Sequence, residues 1–490
     1  MKKYQHYIDG AWRDPLSGVW FETFDPYRGE AWALMPRGNG ADVDAAVEAA
    51  HRAFATGDWP ALTPTQRGAL LRRLADLIGE HAEELSAIEV RDVGKRTAES
   101  LPQIQYLPQS FYYYAGLADK IAGTVVPLDR HDVFNFTRHE PLGVIAAILP
   151  WNSPLMLTAW KLAPALAAGN TVVLKPSEHG SASVLELMRL VERAGFPKGV
   201  VNVVTGFGAE TGGLLTVHPK VAKISFTGSE SSGRRIAETA ARDLKRVTLE
   251  LGGKSPQIVF PDADLDDAAH GVMAGIFASN GQSCVAGSRL LLQNAIHDQF
   301  VDKLIGQMRG LRMGDPADPR TQIGPIANKP QFDKIIDYIG IAKSEGATCV
   351  LGGRAARHNT GGWFVEPTIF TGVSNAMRIA REEVFGPVLA VMRFGNEDEA
   401  VNIANDTCYG LAAGAWTGDH RRALSLSRRL AAGTVYLNHY RSVSTLSPVG
   451  GYKHSGYGRE NGVEGMMAYL QTKSVWMGTA DIPNPFPPAK

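Results

Sequence analysis

The chain predicts an α/β protein with two regions of mostly parallel sheet and a small β excursion, and three observations carry that expectation. From Gly143 onward, short apolar runs alternate with helical stretches of roughly 10–15 residues, the rhythm of strands joined by crossover helices. A second region with the same rhythm begins near Lys254. Outside both, Ile121–Arg138 and Thr472–Met477 read as extended pieces, the first a hairpin-like excursion and the second a lone strand. A lone strand has no sheet of its own, so pairing with another subunit is expected of it.

Taken in order, residues 1–40 are short extended pieces broken by turn dipeptides such as Asp9-Gly10 and Asp25-Pro26. Helical periodicity follows over Asp42–Phe54, Pro64–Gly94 and Leu101–Lys120. Strands are then expected at Val144–Leu149, Thr171–Leu174, Val200–Val204 and Lys223–Phe226, with helices at Pro154–Ala168, Ser181–Ala194, Glu210–Val217 and Gly233–Arg242. Sheets of this kind bind ligands beyond the carboxyl ends of their strands. The second region carries strands at Pro256–Phe260 and Leu290–Leu292 and helices at Leu265–Phe277, Pro330–Gly346 and Asp398–Asp406, continuing to about Tyr452.

A chain of 490 residues exceeds one ordinary core, so two or three domains are expected. Apolar content of 44% with 20% charged residues describes a globular protein. Fifty basic residues balance fifty acidic ones, which asks for neither nucleic acid nor an anionic membrane surface. No apolar run reaches the length of a membrane span, and Met1-Lys2-Lys3 is not followed by the apolar core of a signal peptide. The three cysteines, Cys284, Cys349 and Cys408, are odd in number and far apart, which argues against a disulfide framework or a structural zinc site and fits a cytoplasmic protein.

The stretch Ser279-Asn280-Gly281-Gln282-Ser283-Cys284-Val285-Ala286-Gly287 sets a cysteine among small and turn-forming residues between a helix and a strand. A strained turn there can present a nucleophile; a cysteine packed as a small hydrophobe is the alternative. Thr248-Leu249-Glu250-Leu251 places an acid in an apolar strand, where burial would raise its pKa toward that of a general base, unless it serves a structural ion pair. Pro150-Trp151-Asn152-Ser153-Pro154 ends the first strand of the series, where Asn152 can offer an amide to an oxyanion or simply form a turn.

For a dinucleotide, Gly206-Phe207-Gly208 is a weak fingerprint because Thr211 occupies the third glycine position. Phe226-Thr227-Gly228-Ser229-Glu230-Ser231-Ser232-Gly233 is better placed, since it follows a strand and opens a helix whose N–H groups suit a pyrophosphate; Ser229 as a plain N-cap is the other possibility. Lys175 and Glu178 end a neighbouring strand within reach of ribose hydroxyls, unless they belong to a solvated loop. In Glu382-Glu383-Val384-Phe385, an extended backbone would aim Glu383 and Phe385 the same way, so that ribose binding and nicotinamide packing share a wall, unless Phe385 is simply core packing.

These pieces together resemble the NAD(P)-dependent aldehyde dehydrogenase superfamily, from Ile8-Asp9-Gly10-Ala11-Trp12 to Pro448–Glu460, with Glu250-Leu251-Gly252-Gly253-Lys254 and Gly281-Gln282-Ser283-Cys284 as its most specific motifs. The resemblance implies a Rossmann-like cofactor domain (1–120 and 139–253), an α/β catalytic domain (254–453) and a β oligomerisation arm (121–138 and 471–490). It implies Cys284 as nucleophile, Glu250 as general base, Asn152 with the Cys284 N–H as oxyanion hole, and Glu460 as a secondary acid in the proton path. For the cofactor it implies Pro150, Trp151, Lys175, Glu178, Gly208, Phe226, Gly228, Ser229, Gly233, Leu251, Glu383 and Phe385. NAD is expected, with NADP possible, and no metal. A homodimer or homotetramer is implied.

The substrate end departs from the aromatic lining common in the family. Ser153, Val443 and Val449 are small where rings often stand, while Trp160 keeps one apolar wall, and the resemblance puts Leu157, Ser283 and Val285 in the same pocket. Arg441 can fork onto a carboxylate or carbonyl, or else face solvent or another subunit. A bulky or polar aldehyde or a semialdehyde is therefore expected. Transfer of the acyl group to coenzyme A and a non-catalytic binding role are the competing readings. Glu250 argues against the first, since hydrolysis needs a base and transfer to coenzyme A does not, and the presence of Glu250, Cys284 and Asn152 together argues against the second.

Overall fold

The computed structural model describes residues 1–356 and 359–486, so residues 487–490 of the expected arm lie outside the described residues. Its largest sheet has eight strands. Five central ones run parallel in the spatial order Arg246–Glu250, Val221–Thr227, Val144–Ile148, Thr171–Lys175, Val201–Val203. His6–Ile8 and Ala11–Arg13 close one edge antiparallel, and Gly456–Tyr457 closes the other. The strand order reverses between Val144–Ile148 and Val221–Thr227, which opens a crevice beyond their carboxyl ends.

The central strand Val144–Ile148 is wholly apolar and buried, because both faces of the sheet are covered. Side chains alternate: Ile145 and Ala147 join one core, Val144, Ala146 and Ile148 another. The helix Pro154–Ala167 is buried along almost its whole length, Lys161 included. The expected helix over Pro64–Gly94 is two helices, Pro64–Glu80 and Ala82–Val93, broken at His81, and the second ends on Gly94 at φ +70°. The Tyr-rich helix runs over Thr97–Leu117.

The second sheet has seven strands, six of them parallel, with Pro256–Val259 flanked by Arg289–Gln293 and Ala412–Trp416. Thr348–Leu351 is its antiparallel edge. The alternation again splits into two cores, with Ile258 and Leu291 on one face and Val259, Leu290 and Leu292 on the other.

The strand expected to stand alone does not. Leu470–Gly478 pairs antiparallel with Val133–Pro141 of the same chain, Leu470 opposite Pro141 and Gly478 opposite Val133. Within the excursion itself, Val125 meets Phe136 in an isolated bridge. A two-stranded ribbon is marginal by itself in water, and this one exposes Phe134, Trp476 and Met477. No helix among the described residues is long and apolar enough to cross a membrane.

Candidate active site

The helix Leu265–Ile276 is capped by Asp264 and gives way to three consecutive residues in the left-handed region, Ser279 (φ 49°), Asn280 (φ 53°) and Gly281 (φ 67°). Each non-glycine residue there costs about 1–2 kcal/mol, so the surroundings must hold it. They do. Asn280 Nδ2 donates to the Pro325 carbonyl (2.8 Å), the Ser279 amide donates to Glu99 (2.7 Å), and Gln282 Oε1 accepts from the Ala327 amide (2.9 Å). Gly281 passes so close to Gly386 that a Cβ would lie 2.0 Å from its carbonyl oxygen. The loop therefore sets Ser283, Cys284 and Val285 at the amino end of the Arg289–Gln293 strand.

Cys284 is half-buried. Burial, then the Glu383 and Glu250 carboxylates, push its thiol up to about 12, so the resting side chain is a neutral thiol. Asn152 Nδ2 donates to the Gln282 carbonyl at 3.1 Å, which brings the amide to the loop that carries the thiol. Glu250 ends its strand 6% exposed, and its Oε1 has no hydrogen-bond partner. Burial, reinforced by Glu460, raises its pKa well above the ordinary carboxylate value.

Behind Glu250 the structure places a buried polar cluster. Lys161 donates to Glu460 and to Thr227 Oγ1 (2.7 Å), and Ser225 links Glu460 (3.4 Å) to Tyr469 (3.1 Å). The ion pair is made by Glu460, then, and Glu250 stays out of one. Lys161 carries a sequence signal in hindsight, a charge in an otherwise apolar helix.

On the crevice side, Ser229 caps the helix Glu230–Arg242 and accepts from the Ser232 amide. The other first-turn amides have no intrahelical partner and suit an anion. Gly228 rides on the Phe226 ring and Gly233 on Leu251, with room for no Cβ at either. Glu383 folds over Gly252 and accepts from the Gly253 amide (2.9 Å), and burial raises its pKa. Phe385 stands edge-on to Trp151 with ring centroids 5.4 Å apart. The backbone around it is not extended: Phe385 has φ 59°, and both side chains reach the site by a kinked loop.

One cavity of about 240 Å³ joins these groups, running from Gly228 and Ser229 past Glu250 and Asn152 to Cys284. All the residues expected to wall the substrate end line it, from Ser153 to Val449. Arg441 lines it too, tied by Nη2 to Ser279 Oγ (2.8 Å) and by Nη1 to the Ala274 carbonyl (3.3 Å). Lys175, Glu178, Gly208, Phe226 and Gly233 do not line it. Lys175 donates to Glu178 (3.2 Å), and Glu178 opens on a neighbouring cavity of about 510 Å³ with Phe207.

Residues 12–475 match the aldehyde dehydrogenase family. The chain belongs to that family. The (Z)-2-((N-methylformamido)methylene)-5-hydroxybutyrolactone dehydrogenase of Acinetobacter baylyi is 46% identical, over 99% of this chain and 98% of its own. The hydroxyisobutyraldehyde dehydrogenase of Mycolicibacterium austroafricanum is 45% identical, over 96% and 92%. Among solved structures, the NAD+ complex of a Bacillus cereus aldehyde dehydrogenase superposes with a TM-score of 0.96 at 41% identity, over 98% and 97% of the two chains. The betaine aldehyde dehydrogenase of Staphylococcus aureus with NAD+ does so at 0.97 and 39%, over 98% and 96%.

In this aldehyde dehydrogenase, Lys161, Gln103 and Met156 at the site escaped the sequence reading. Gln103 and Met156 carry no local signal, being ordinary residues of two helices that meet only in the folded chain. Away from the cavity, Glu230, Cys408 and His454 gather ligand-type atoms, but the Arg234 guanidinium is hydrogen-bonded to Glu230 (2.7 Å) and His454 (3.1 Å), so the protein's own cation already sits there.

Proposed function

We propose that this chain oxidises a bulky or polar aldehyde, or a semialdehyde, to its carboxylic acid with NAD as oxidant. The observation that carries it is the continuous cavity that links a helix N-terminus to Cys284, with Glu250 and Asn152 on its wall. Cys284 attacks the aldehyde carbon, and its proton passes to a base whose pKa burial has raised, Glu250. The tetrahedral oxyanion is held by the Asn152 amide and the Cys284 N–H. The crevice residues Gly228, Ser229, Glu383 and Phe385 would hold NAD, which would supply the acceptor for the hydride that leaves the substrate carbon. Glu460 with Lys161 carries the thiol proton onward from Glu250, which then deprotonates the water that hydrolyses the thioester left on Cys284.

The crevice fits the cofactor on three counts: unpaired first-turn amides at Ser229, glycines with no space for a Cβ at 228 and 233, and the Glu383 carboxylate beside Phe385. Glu178 can accept from both adenosine ribose hydroxyls and would repel a 2′-phosphate, so NAD is preferred over NADP. Two relatives support a polar substrate, since their names specify a hydroxybutyrolactone derivative and a hydroxyaldehyde. The exposed apolar ribbon of Val133–Pro141 and Leu470–Gly478 supports a homodimer or homotetramer, and three free cysteines support a cytoplasmic setting. A panel of aldehydes scored by NADH appearance tests the reading; acetaldehyde or propanal outperforming every larger polar aldehyde would defeat it.

A further inference from the structure

Among the groups that line the substrate cavity are three polar side chains, none of them a carboxylate. Gln103, Ser153 and Arg441 stand there with Met156. An arginine offers only donors. A glutamine and a serine could each offer a donor or an acceptor, and in this chain a buried lysine behind them settles which. Lys95 is 8% exposed and donates to Gln103 Oε1 and, at 2.8 Å, to Ser153 Oγ. An ammonium has no acceptor to give, so the carbonyl of the Gln103 amide must face it, and the amide cannot flip. The NH₂ of Gln103 is thereby turned away, toward Met156 Sδ at 2.8 Å, a weak acceptor that a better one displaces. Ser153, with one lone pair taken by the ammonium, directs its O–H away from the positive charge.

The charge balance agrees. Lys95, Arg96 and Arg441 converge on this end against Glu89 and Glu99. Burial raises the pKa of Glu89 and lowers that of Lys95, while the two charges support each other and Glu99 supports the ammonium as well. Glu99, pushed up by burial, is nonetheless held below its ordinary value by Arg96 and Arg441, and its own hydrogen bonds go to the Ser279 amide and Arg96. None of Lys95, Arg96, Glu89 and Glu99 lines the substrate cavity, so of this group Arg441 alone meets the substrate directly.

We infer that Lys95 is a positioning residue that makes the tail subsite donor-only, so that this enzyme selects aldehydes whose far end accepts hydrogen bonds, a carboxylate, ester, lactone or amide carbonyl. It rejects those ending in a quaternary ammonium or an amine. The inference rests on the aldehyde-oxidising reading above and narrows its substrate class. Ser153 makes the subsite reachable, because a bulkier side chain at that position would fill the space in front of Lys95.

The test compares four aldehydes of similar length: 4-oxobutanoate, its methyl ester, pentanal, and 4-trimethylammoniobutanal. The wild-type protein is expected to prefer the carboxylate or ester over pentanal by about tenfold or more in kcat/KM, with the trimethylammonium compound below pentanal. In Gln103→Glu, one carboxylate oxygen stays on Lys95 and the other faces the cavity as an acceptor. The order of ester and trimethylammonium compound then reverses, with the change carried by KM. In Lys95→Met, the Gln103 amide is free to flip, and the ratios collapse toward that of pentanal. A merely structural role for Lys95 would lower all four rates together and leave the ratios alone, which would overturn the inference. So would a wild-type preference for pentanal or the cationic tail, or an unreversed order in Gln103→Glu, the near-isosteric variant that keeps the test open if Lys95→Met does not fold. Failure to oxidise any of the four would defeat the aldehyde reading itself, whereas oxidation without tail discrimination overturns this inference alone.

Discussion

The two sheets reach the site from opposite ends. The first offers the carboxyl ends of its strands: Asn152 follows Val144–Ile148, Gly228 and Ser229 follow Val221–Thr227, and Glu250 closes Arg246–Glu250. The second offers mainly what precedes its strands, Cys284 before Arg289–Gln293, Glu383 and Phe385 before Val388–Phe394, Leu411 before Ala412–Trp416, with Arg441 and Val443 after Thr434–Leu437 as the exception. At a carboxyl end the next helix begins, so amide dipoles for an anion come with the fold. At an amino end nothing is supplied that way, and each group is held by contact between loops. Gly281 lies on Gly386, Asn280 bonds Pro325, and Glu383 bonds Gly253. The sulfur shows the consequence, since burial and two carboxylates push its pKa up to about 12.

The largest effect should come from the amino-end half. Cys284→Ala is expected to lower aldehyde oxidation by about 10⁴-fold or more. Residual NADH formation near the wild-type rate would move the nucleophile elsewhere. From the carboxyl-end half, Glu250→Gln should lower steady turnover by about 10²–10³-fold while leaving a first burst of NADH. A stopped-flow trace with no burst, or with undiminished turnover, would remove Glu250 from the hydrolytic step.

Loop glycines sharpen the contrast further. Gly281→Ala puts a Cβ on the Gly386 carbonyl at positive φ and should cost about 3 kcal/mol or more, read as a lower melting temperature. Gly213→Ala, on the first-sheet side, meets nothing within 4 Å in an ordinary helical conformation and should be neutral within about 1 kcal/mol. Equal losses would erase the distinction between the two halves. A smaller effect is expected at Glu178→Gln, which removes the charge facing a 2′-phosphate; kcat/KM for NADP relative to NAD should rise by about tenfold.

The last effect is a shift along the pH axis. A general base works deprotonated, so hydrolysis rises as pH passes upward through the raised pKa of Glu250. Glu460 contributes to that rise, and Lys161 opposes it. Glu460→Gln removes the like charge and leaves Lys161 uncompensated, so the ascending limb of kcat should move to lower pH. An unmoved limb would uncouple the two acids.

Much of the site was legible because its signals are local. Strand–helix alternation, a cysteine in a Ser-Asn-Gly turn and an acid in an apolar strand are patterns within a few residues of chain, and sterics and burial act on them directly. The alternation implied parallel sheets covered on both faces, and the sheets are so arranged. Glu383 and Phe385 do share a wall of the cavity, but a run of seven residues does not reveal the positive φ of Phe385 by which they reach it. Thr472–Met477 looked unpartnered because its partner, Val133–Pro141, lies more than three hundred residues earlier. Lys95, Gln103 and Met156 left no trace for the same reason. Residue types, turns and periodicity are properties of the chain, and they determined the elements and the chemistry within reach. Which end of each sheet faces the site, and which way the Gln103 amide points, depend on pairings across long loops, which only packing of the whole chain decides.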